Sequence, residues 1–438
     1  MNIVLLSGGS GKRLWPLSNE IRSKQFIKCF KNSNGFYESM IQRVYNQIQS
    51  VDTSAKITIA TSKSQVSAIQ NQLKDKVDIC IEPSRRDTFP ALALVSYYLK
   101  DVKGLSEDET IVVCPVDPYV EQDYFESIKK LSDLAITTDS NLVLMGINPT
   151  YPSEKYGYII PETNDLISKV LSFKEKPDKE TAQVYIKNNA LWNSGVFSFK
   201  LKYLLDITRD KYNLNNYKDL YINYDLLEKI SFDYAVVEKE PKIDVLRFFG
   251  NWTDLGTWNT LTEAMKDKSI GNVITDDSCH NVHAINELEI PLLCMGLKDI
   301  VVAASPDGIL VSDKEKSSYI KKYVESIDHQ VMYAEKSWGS YKVLDISSKS
   351  ITIKIILKPG EHMSYHSHKR RDEIWNIING EGFVIIDGNE KSVNTGDIIT
   401  INRNSMHTIS ARTVLEVIEI QVGDDIDVSD KIKHKISF

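Results

Sequence analysis

The sequence predicts an α/β architecture over residues 1–265 and an all-β architecture from about residue 335, joined by a small β-rich segment. Three observations carry this. Up to residue 265, short apolar runs alternate with longer polar stretches of helical character. From about 270 to 325 that rhythm breaks into short β-like pieces, and beyond 335 brief alternating strands follow one another with turn residues between them. The first pattern belongs to layered α/β proteins with a largely parallel sheet. The last belongs to a small barrel or jelly roll.

In chain order, NIVLL (2–6), ITIA (57–60), DICIE (78–82), TIVVCPVD (110–117) and NLVLMGI (141–147) read as strands buried on both faces. Residues 36–50 and 63–75 read as helices between them. In such sheets ligands sit beyond the carboxyl ends of strands, which directs attention to Ser7–Arg13 and to Asp117. SDKEKSSYIKKYVE (312–325) reads as a charged helix. ITIKIILKPG (351–360), FVIIDGNEKSV (383–393), DIITIN (397–402) and TVLEVIEIQV (413–422) read as strands, with a hairpin signal at Asp387–Gly388. The expected domains are 1–268, 269–333 and 334–438.

At 438 residues the chain exceeds one ordinary core. With 26% charged and 42% hydrophobic residues it is a globular chain and not a disordered one. The net charge of −7 argues against a nucleic-acid partner. The five cysteines are scattered, with no C-x-x-C pair, so neither a disulfide framework nor a cysteine zinc site is expected. No run is long enough for a membrane helix, and Ile3–Leu6 is too short for a signal peptide. A cytoplasmic protein without a membrane partner is the expectation.

The stretch LLSGGSGKRLWPL (5–17) holds the clearest chemistry. It is neither a Walker A loop, because Arg13 follows Gly11-Lys12, nor a dinucleotide fingerprint, because Leu14 stands at the last glycine position. Backbone N–H groups of Gly8, Gly9, Ser10 and Gly11 can cradle phosphate or base. Arg13 offers a permanently charged fork of donors.

GGSGKRLWPLS, followed by SKQF (23–26), resembles the sugar-1-phosphate nucleotidyltransferases, and among them the long bacterial mannose-1-phosphate guanylyltransferases. Further blocks recur in family order: EPSRRDTFPALAL (82–94), CPVDP (114–118), YGYI (156–159), FKEKP (173–177), WNSGVF (192–197), WTDLGTW (252–258) and WGSY (338–341). The resemblance covers nearly the whole chain. It implies a Rossmann-like domain with a mixed sheet, and a transfer in which a sugar-1-phosphate oxygen attacks the α-phosphorus of a nucleoside triphosphate. GTP and mannose 1-phosphate are the implied substrates, and a homodimer is expected.

The resemblance also implies the site. Leu6, Lys12, Glu82, Arg86 and Asp87 join the glycine loop at the nucleotide, and Arg13 and Lys24 act at the phosphates. Asp117 and Asp254 hold Mg2+, which prefers one or two carboxylates plus substrate phosphates. Glu175 accepts from sugar hydroxyls, Lys176 pairs with the sugar phosphate, and Gly157, Asn193 and Gly195 line the sugar subsite. Arg13, Lys24, Asp117, Lys176 and Asp254 are the expected catalytic set. Trp192, Trp252 and Trp258 are read as packing residues. Asp87 and Phe89 depart from the family's Asn and Ala, and Pro118 from its His, which makes positions 87 and 89 candidates for base and sugar specificity.

Near the C-terminus, Gly360, His366, His368, Glu373 and Gly380 follow the first cupin signature, and His407 stands where the second motif places its histidine. His366 and His368 point the same way if on one strand, and Glu373 and His407 are expected on neighbouring strands. Three imidazoles and a carboxylate suit a divalent transition metal such as Zn2+. In the long guanylyltransferases this domain is a phosphomannose isomerase. Here His366 replaces Gln and Ile374 replaces His, so isomerisation and a purely structural, dimerising role both remain open.

Overall fold

The computed structural model describes residues 1–9, 12–327, 331–424, 426 and 430–435. The chain forms two compact units: Met1–Ser10, Ser23–Val66 and Gln72–Lys266 make the first, and Gly11–Arg22, Ser67–Asn71 and Asp267–Phe438 the second.

The first unit is built on a nine-stranded sheet. Its order runs Asp78–Glu82, Lys56–Ser62, Asn2–Ser7, Thr110–Pro115, Leu191–Lys200, Leu142–Ile147, Ile243–Phe248, Ile167–Lys174, Tyr158–Pro161. The first four are parallel to one another. Leu191–Lys200 runs antiparallel between two of the others, so the sheet is mixed, as the resemblance implies. The apolar strands are covered on both faces, which is why they read as continuous runs. Helix Thr88–Asp101 is nearly all buried, from Phe89 to Leu99, within the main core.

Residues 36–50 were expected to be helical throughout, but the helix is Met40–Val51 and Tyr37–Ser39 is a strand paired with Lys28–Lys31. Ser39 sets the boundary: its hydroxyl accepts from Gln42 N, while Gln42 Oε1 accepts from Ser39 N. The parallel strands end side by side at Ser7, Ser62, Glu82 and Pro115, and the chain leaves the sheet there in loops.

In the second unit, residues 269–313 form a coil of short strands. Ser269–Gly271, His283–Asn286 and Ile300–Ser305 pair in parallel without intervening helices, and Gly308–Asp313 closes the edge antiparallel. The segment Gly11–Arg22 packs on this coil. Ser305 Oγ donates to Pro16 O at 2.7 Å, Asn19 Nδ2 to Asp307 Oδ2 at 2.6 Å, and Arg22 makes two bonds to Glu287. The helix expected over 312–325 is only a 3-10 turn, Lys316–Tyr319, and one helical turn, Lys321–Val324. Ser317 and Ser318 hydroxyls there bond backbone carbonyls three residues back, which competes with helix continuation.

The C-terminal strands form two facing sheets. One, six-stranded, runs Tyr333–Lys336, Gly339–Ile346, Ser350–Leu357, Leu415–Gly423, Arg371–Asn379, Ile398–Ile401. The other, five-stranded, runs Asn389–Asn394, Glu381–Ile386, His407–Ala411, His366–Ser367, Ile432–Lys433. Apolar side chains of both, including Trp375, Ile355 and Val384, fill the space between them. The Asp387–Gly388 hairpin joins two strands of the second sheet.

Candidate active site and metal centre

At the carboxyl ends of the parallel strands lies a cavity of about 310 Å3. Leu6, Gly8, Gly9, Glu82, Arg86, Asp87 and Asp117 line it, together with residues the sequence did not single out, such as Ser62, Gln65 and Arg85. Gln65 shapes the glycine loop from beneath. Its Nε2 donates to Ser23 Oγ at 2.7 Å and to Gly9 O, and its Oε1 accepts from Thr61, Gln25 and Ser7. Gly9 stands at φ +111°, a conformation open to glycine and strained for other residues.

Glu82 accepts from Tyr224 OH at 2.9 Å. Burial raises its carboxyl, opposed by Tyr224 and Arg85. Arg86 gives its donors to Leu227 O and Asp225, holding the 224–227 turn. Asp87 caps helix Thr88–Asp101 by accepting from Thr88 N at 2.8 Å. Phe89 does not line the cavity: its ring is buried in the core against Tyr212, so its candidacy for specificity is withdrawn. Ser10 and Gly11 lie outside the described residues. Lys12 and Arg13 form a 3-10 turn in the second unit, Lys12 within 3.8 Å of Glu20 and Arg13 exposed.

Asp117 follows strand Thr110–Pro115, and Asp254 pairs across from Pro118 in a two-stranded ribbon. Lys24 Nζ lies 2.9 Å from Asp117 Oδ2 and 3.6 Å from Asp254 Oδ1, and donates to Leu255 O. Burial alone would raise the Asp117 carboxyl, but the Lys24 ammonium outweighs it and holds Asp117 below the usual range. Two carboxylates already converging on one cation form a donor set that fits Mg2+ together with substrate phosphates.

A second cluster gathers Gly157, Glu175, Lys176, Asn193 and Gly195. Glu175 is buried and paired with Lys176 Nζ at 2.6 Å. Lys176 sits at φ +46°, a strained conformation of the kind that collects at functional sites. A Cβ on Gly157 would come within 2.5 Å of Glu175 Oε2, so only glycine admits the carboxylate there. Asn193 N donates to Gly157 O, Asn193 Oδ1 accepts from Gly195 N, and Asn193 Nδ2 donates to Asp233 Oδ1 at 2.7 Å. Asp233 was missed: nothing in SFDYAV marks it locally. Trp258 is fully buried, and Trp192 and Trp252 pack on Tyr156, which agrees with the packing role.

In the C-terminal domain, His366, His368 and His407 bring their ligand nitrogens within 4.8 Å of one another. Each Nδ1 lies against a backbone carbonyl, of Ser364, Asp430 and Ser405 respectively, which holds each ring in place and leaves Nε2 as the remaining ligand atom. His407 Nε2 is buried and faces the Glu373 carboxylate, as suits a shared metal-ligand set. Burial, then Lys431 and His407, pushes His366 down to about 2 and keeps it neutral. His366 pairs with His407 across neighbouring strands. Glu373, expected on a strand beside them, instead comes from the facing six-stranded sheet, since alternate side chains of both sheets point inward. It reaches 3.1 Å from His368 Nε2 and 3.3 Å from His407 Nε2, steadied by Arg371 and Trp375. These residues fit a divalent transition metal.

Residues 2–269 match the nucleotidyl transferase family, and residues 322–435 match the mannose-6-phosphate isomerase C-terminal family. A mannose-1-phosphate guanylyltransferase of Salmonella montevideo is 30% identical, over 98% of this chain and 98% of its own. The chain belongs to the mannose-1-phosphate guanylyltransferase family of nucleotidyl transferases. Another guanylyltransferase of this family, from Escherichia coli K12, is 28% identical over 98% of this chain and 97% of its own. A solved structure from Thermus thermophilus, described as a mannose-1-phosphate geranyltransferase, covers 74% of this guanylyltransferase-family chain and 98% of its own. It superposes with a TM-score of 0.61 at 26% identity. Among the described residues no helix is long and apolar enough to cross a membrane.

Proposed function

We propose that this chain condenses GTP with α-D-mannose 1-phosphate to give GDP-mannose and pyrophosphate. A phosphate oxygen of the sugar phosphate attacks the α-phosphorus, and the bond from that phosphorus to the oxygen bridging to the β-phosphate breaks. Its electron pair leaves with pyrophosphate. Both reactants are anions, so catalysis is chiefly positioning and charge neutralisation.

The observation that carries the reading is the meeting of Asp117, Asp254 and Lys24 at the carboxyl end of one strand, beside the cavity under the glycine loop. Asp117 and Asp254 hold Mg2+, which when bound draws charge from the triphosphate. The N–H groups of Gly8 through Gly11 hold nucleotide, with Leu6, Lys12, Glu82 and Arg86 around it. The carboxylate of Asp87 accepts from guanine N1–H and N2–H2. Arg13 and Lys24 neutralise charge on the α-phosphoryl and leaving group, Lys176 pairs with the sugar phosphate, and Glu175 and Asn193 orient the sugar. The functional modules are 1–268, 269–333 and 334–438, in a cytoplasmic homodimer.

The test is a pyrophosphate-release matrix crossing GTP, CTP, UTP, dTTP and ATP with mannose, glucose, fucose and heptose 1-phosphates in the presence of Mg2+. Turnover confined to GTP and mannose 1-phosphate supports the reading; no release with any pair overturns it.

The three converging imidazoles favour a second activity, interconversion of mannose 6-phosphate and fructose 6-phosphate in the C-terminal domain with Zn2+ or a similar ion held by His366, His368, Glu373 and His407. Metal-dependent formation of fructose 6-phosphate by the full chain tests it.

A further inference from the structure

Asp233 belongs to none of the motifs above, yet it bonds directly to Asn193 of the Glu175–Lys176–Asn193 cluster and feels the charges of the other two. It lies on the short helix Phe232–Ala235, which packs beside the strand carrying Asn193. Its Oδ1 accepts from Asn193 Nδ2 at 2.7 Å. The other end of that amide is occupied by Gly195 N at 3.2 Å, so the orientation of Asn193 is settled by Asp233 on one side and the backbone on the other. Asp233 Oδ2 receives no donor from another residue among the described residues, although the charges of Glu175 and Lys176 are near enough to act on the carboxyl. Burial first, and then the neighbouring Glu175 charge, pushes the Asp233 carboxyl up to about 7. A carboxyl set among polar groups, with one oxygen tied and the other available, suits a ligand hydroxyl better than a buried structural bond, which would use both.

We propose that Asp233 is a sugar-recognition residue: Oδ1 locks Asn193 in place, and Oδ2 accepts a hydrogen bond from one hydroxyl of the hexose 1-phosphate. This rests on reading the Glu175–Lys176 cluster as the sugar-phosphate subsite. Two carboxyls on different elements, Glu175 and Asp233, then read two hydroxyls, and an epimer that turns one away leaves an acceptor unmatched. A site built to bond a hydroxyl discriminates against the analogue that lacks it, here by about 10- to 100-fold for one bond to a carboxylate.

The experiment measures kcat/KM of the full chain, wild type and Asp233→Asn, with GTP, Mg2+ and mannose 1-phosphate or its 2-, 3-, 4- and 6-deoxy analogues. Wild type is expected to lose about 10- to 100-fold on the one analogue lacking the Asp233 partner. Asp233→Asn is expected to fall to that same level on mannose 1-phosphate, to lose nothing further on that analogue, and to keep its KM for GTP. Equal losses on every sugar make Asp233 a purely structural residue and overturn the proposal, as does an unchanged Asp233→Asn. Asp233→Glu keeps the charge, moves the oxygens by one methylene, and is expected to change the rank order of the deoxy analogues; it serves if Asp233→Asn does not fold. Failure of wild type with mannose 1-phosphate strikes the proposed function alone. The same deoxy series on whichever sugar 1-phosphate the matrix reveals then decides Asp233.

Discussion

Arg22 and Glu287, 265 residues apart in the chain, meet in a two-point ion pair at 2.7 and 2.8 Å. Arg22 keeps only 17% of its side-chain surface exposed. The pair ties the segment that follows Arg13 to the strand coil of the second unit. Glu287→Ala leaves the guanidinium without its anion and is expected to cost about 3 kcal/mol, with a smaller loss when Arg22 is replaced by Met at the same time. Urea unfolding of the full chain checks this; additive losses in the double variant count against it.

Lys24 and the Asp117–Asp254 pair lead to a second expectation. Removing one carboxylate, in Asp117→Asn or Asp254→Asn, takes away half of the donor set proposed for Mg2+. Each is expected to lower kcat by about 100-fold or more and to raise the Mg2+ concentration needed for half-activation. Pyrophosphate release titrated with Mg2+ reads both.

His283 supplies a pH dependence. Burial first, then Lys314 and Lys268, push its imidazole down to about 4, and Lys314 Nζ lies 2.8 Å from Nδ1. The folded state therefore holds a neutral imidazole where the unfolded chain protonates near 6.5. The unfolded state binds more protons between those values, so this contribution is present above about 6.5 and is lost as pH falls toward 4. A shift of that size corresponds to about 3 kcal/mol. Thermal unfolding followed from about pH 7 to 4 is expected to show this slope in the wild type and a shallower one in His283→Gln.

The C-terminal imidazoles predict metal content. The full chain is expected to retain about one Zn2+ or similar ion per chain after dialysis, and His407→Ala to lose most of it. Because a metal that binds only the folded state stabilises it, a chelator is expected to lower the unfolding midpoint of the wild type and leave that of His407→Ala unmoved. Elemental analysis and calorimetry decide it.

Most of the scaffold was legible because its signals are local. The buried parallel strands announce themselves as apolar runs, and the histidine spacing and Asp387–Gly388 are short-range patterns. The misread pieces had competing local chemistry: Ser39 starts a helix inside a stretch read as continuous, and the serines at 317 and 318 break another. Phe89 was read by its place in a motif, although its ring turns into the core.

By itself the sequence determined the order of the chemistry along the chain: a glycine loop after the first strand, carboxylates at 117 and 254, and a histidine set near the end. Residue type and short spacing carry such information. Only the tertiary structure decided that Lys24 stands between the two carboxylates and that Arg22 reaches Glu287. The same holds for Glu373, which meets its histidines from the opposite sheet, and for Asp233, which sits against Asn193. Those relationships join positions far apart in the chain, and no local pattern encodes them. They exist because burying the apolar strands brings loop ends together, where charged and amide groups must find partners.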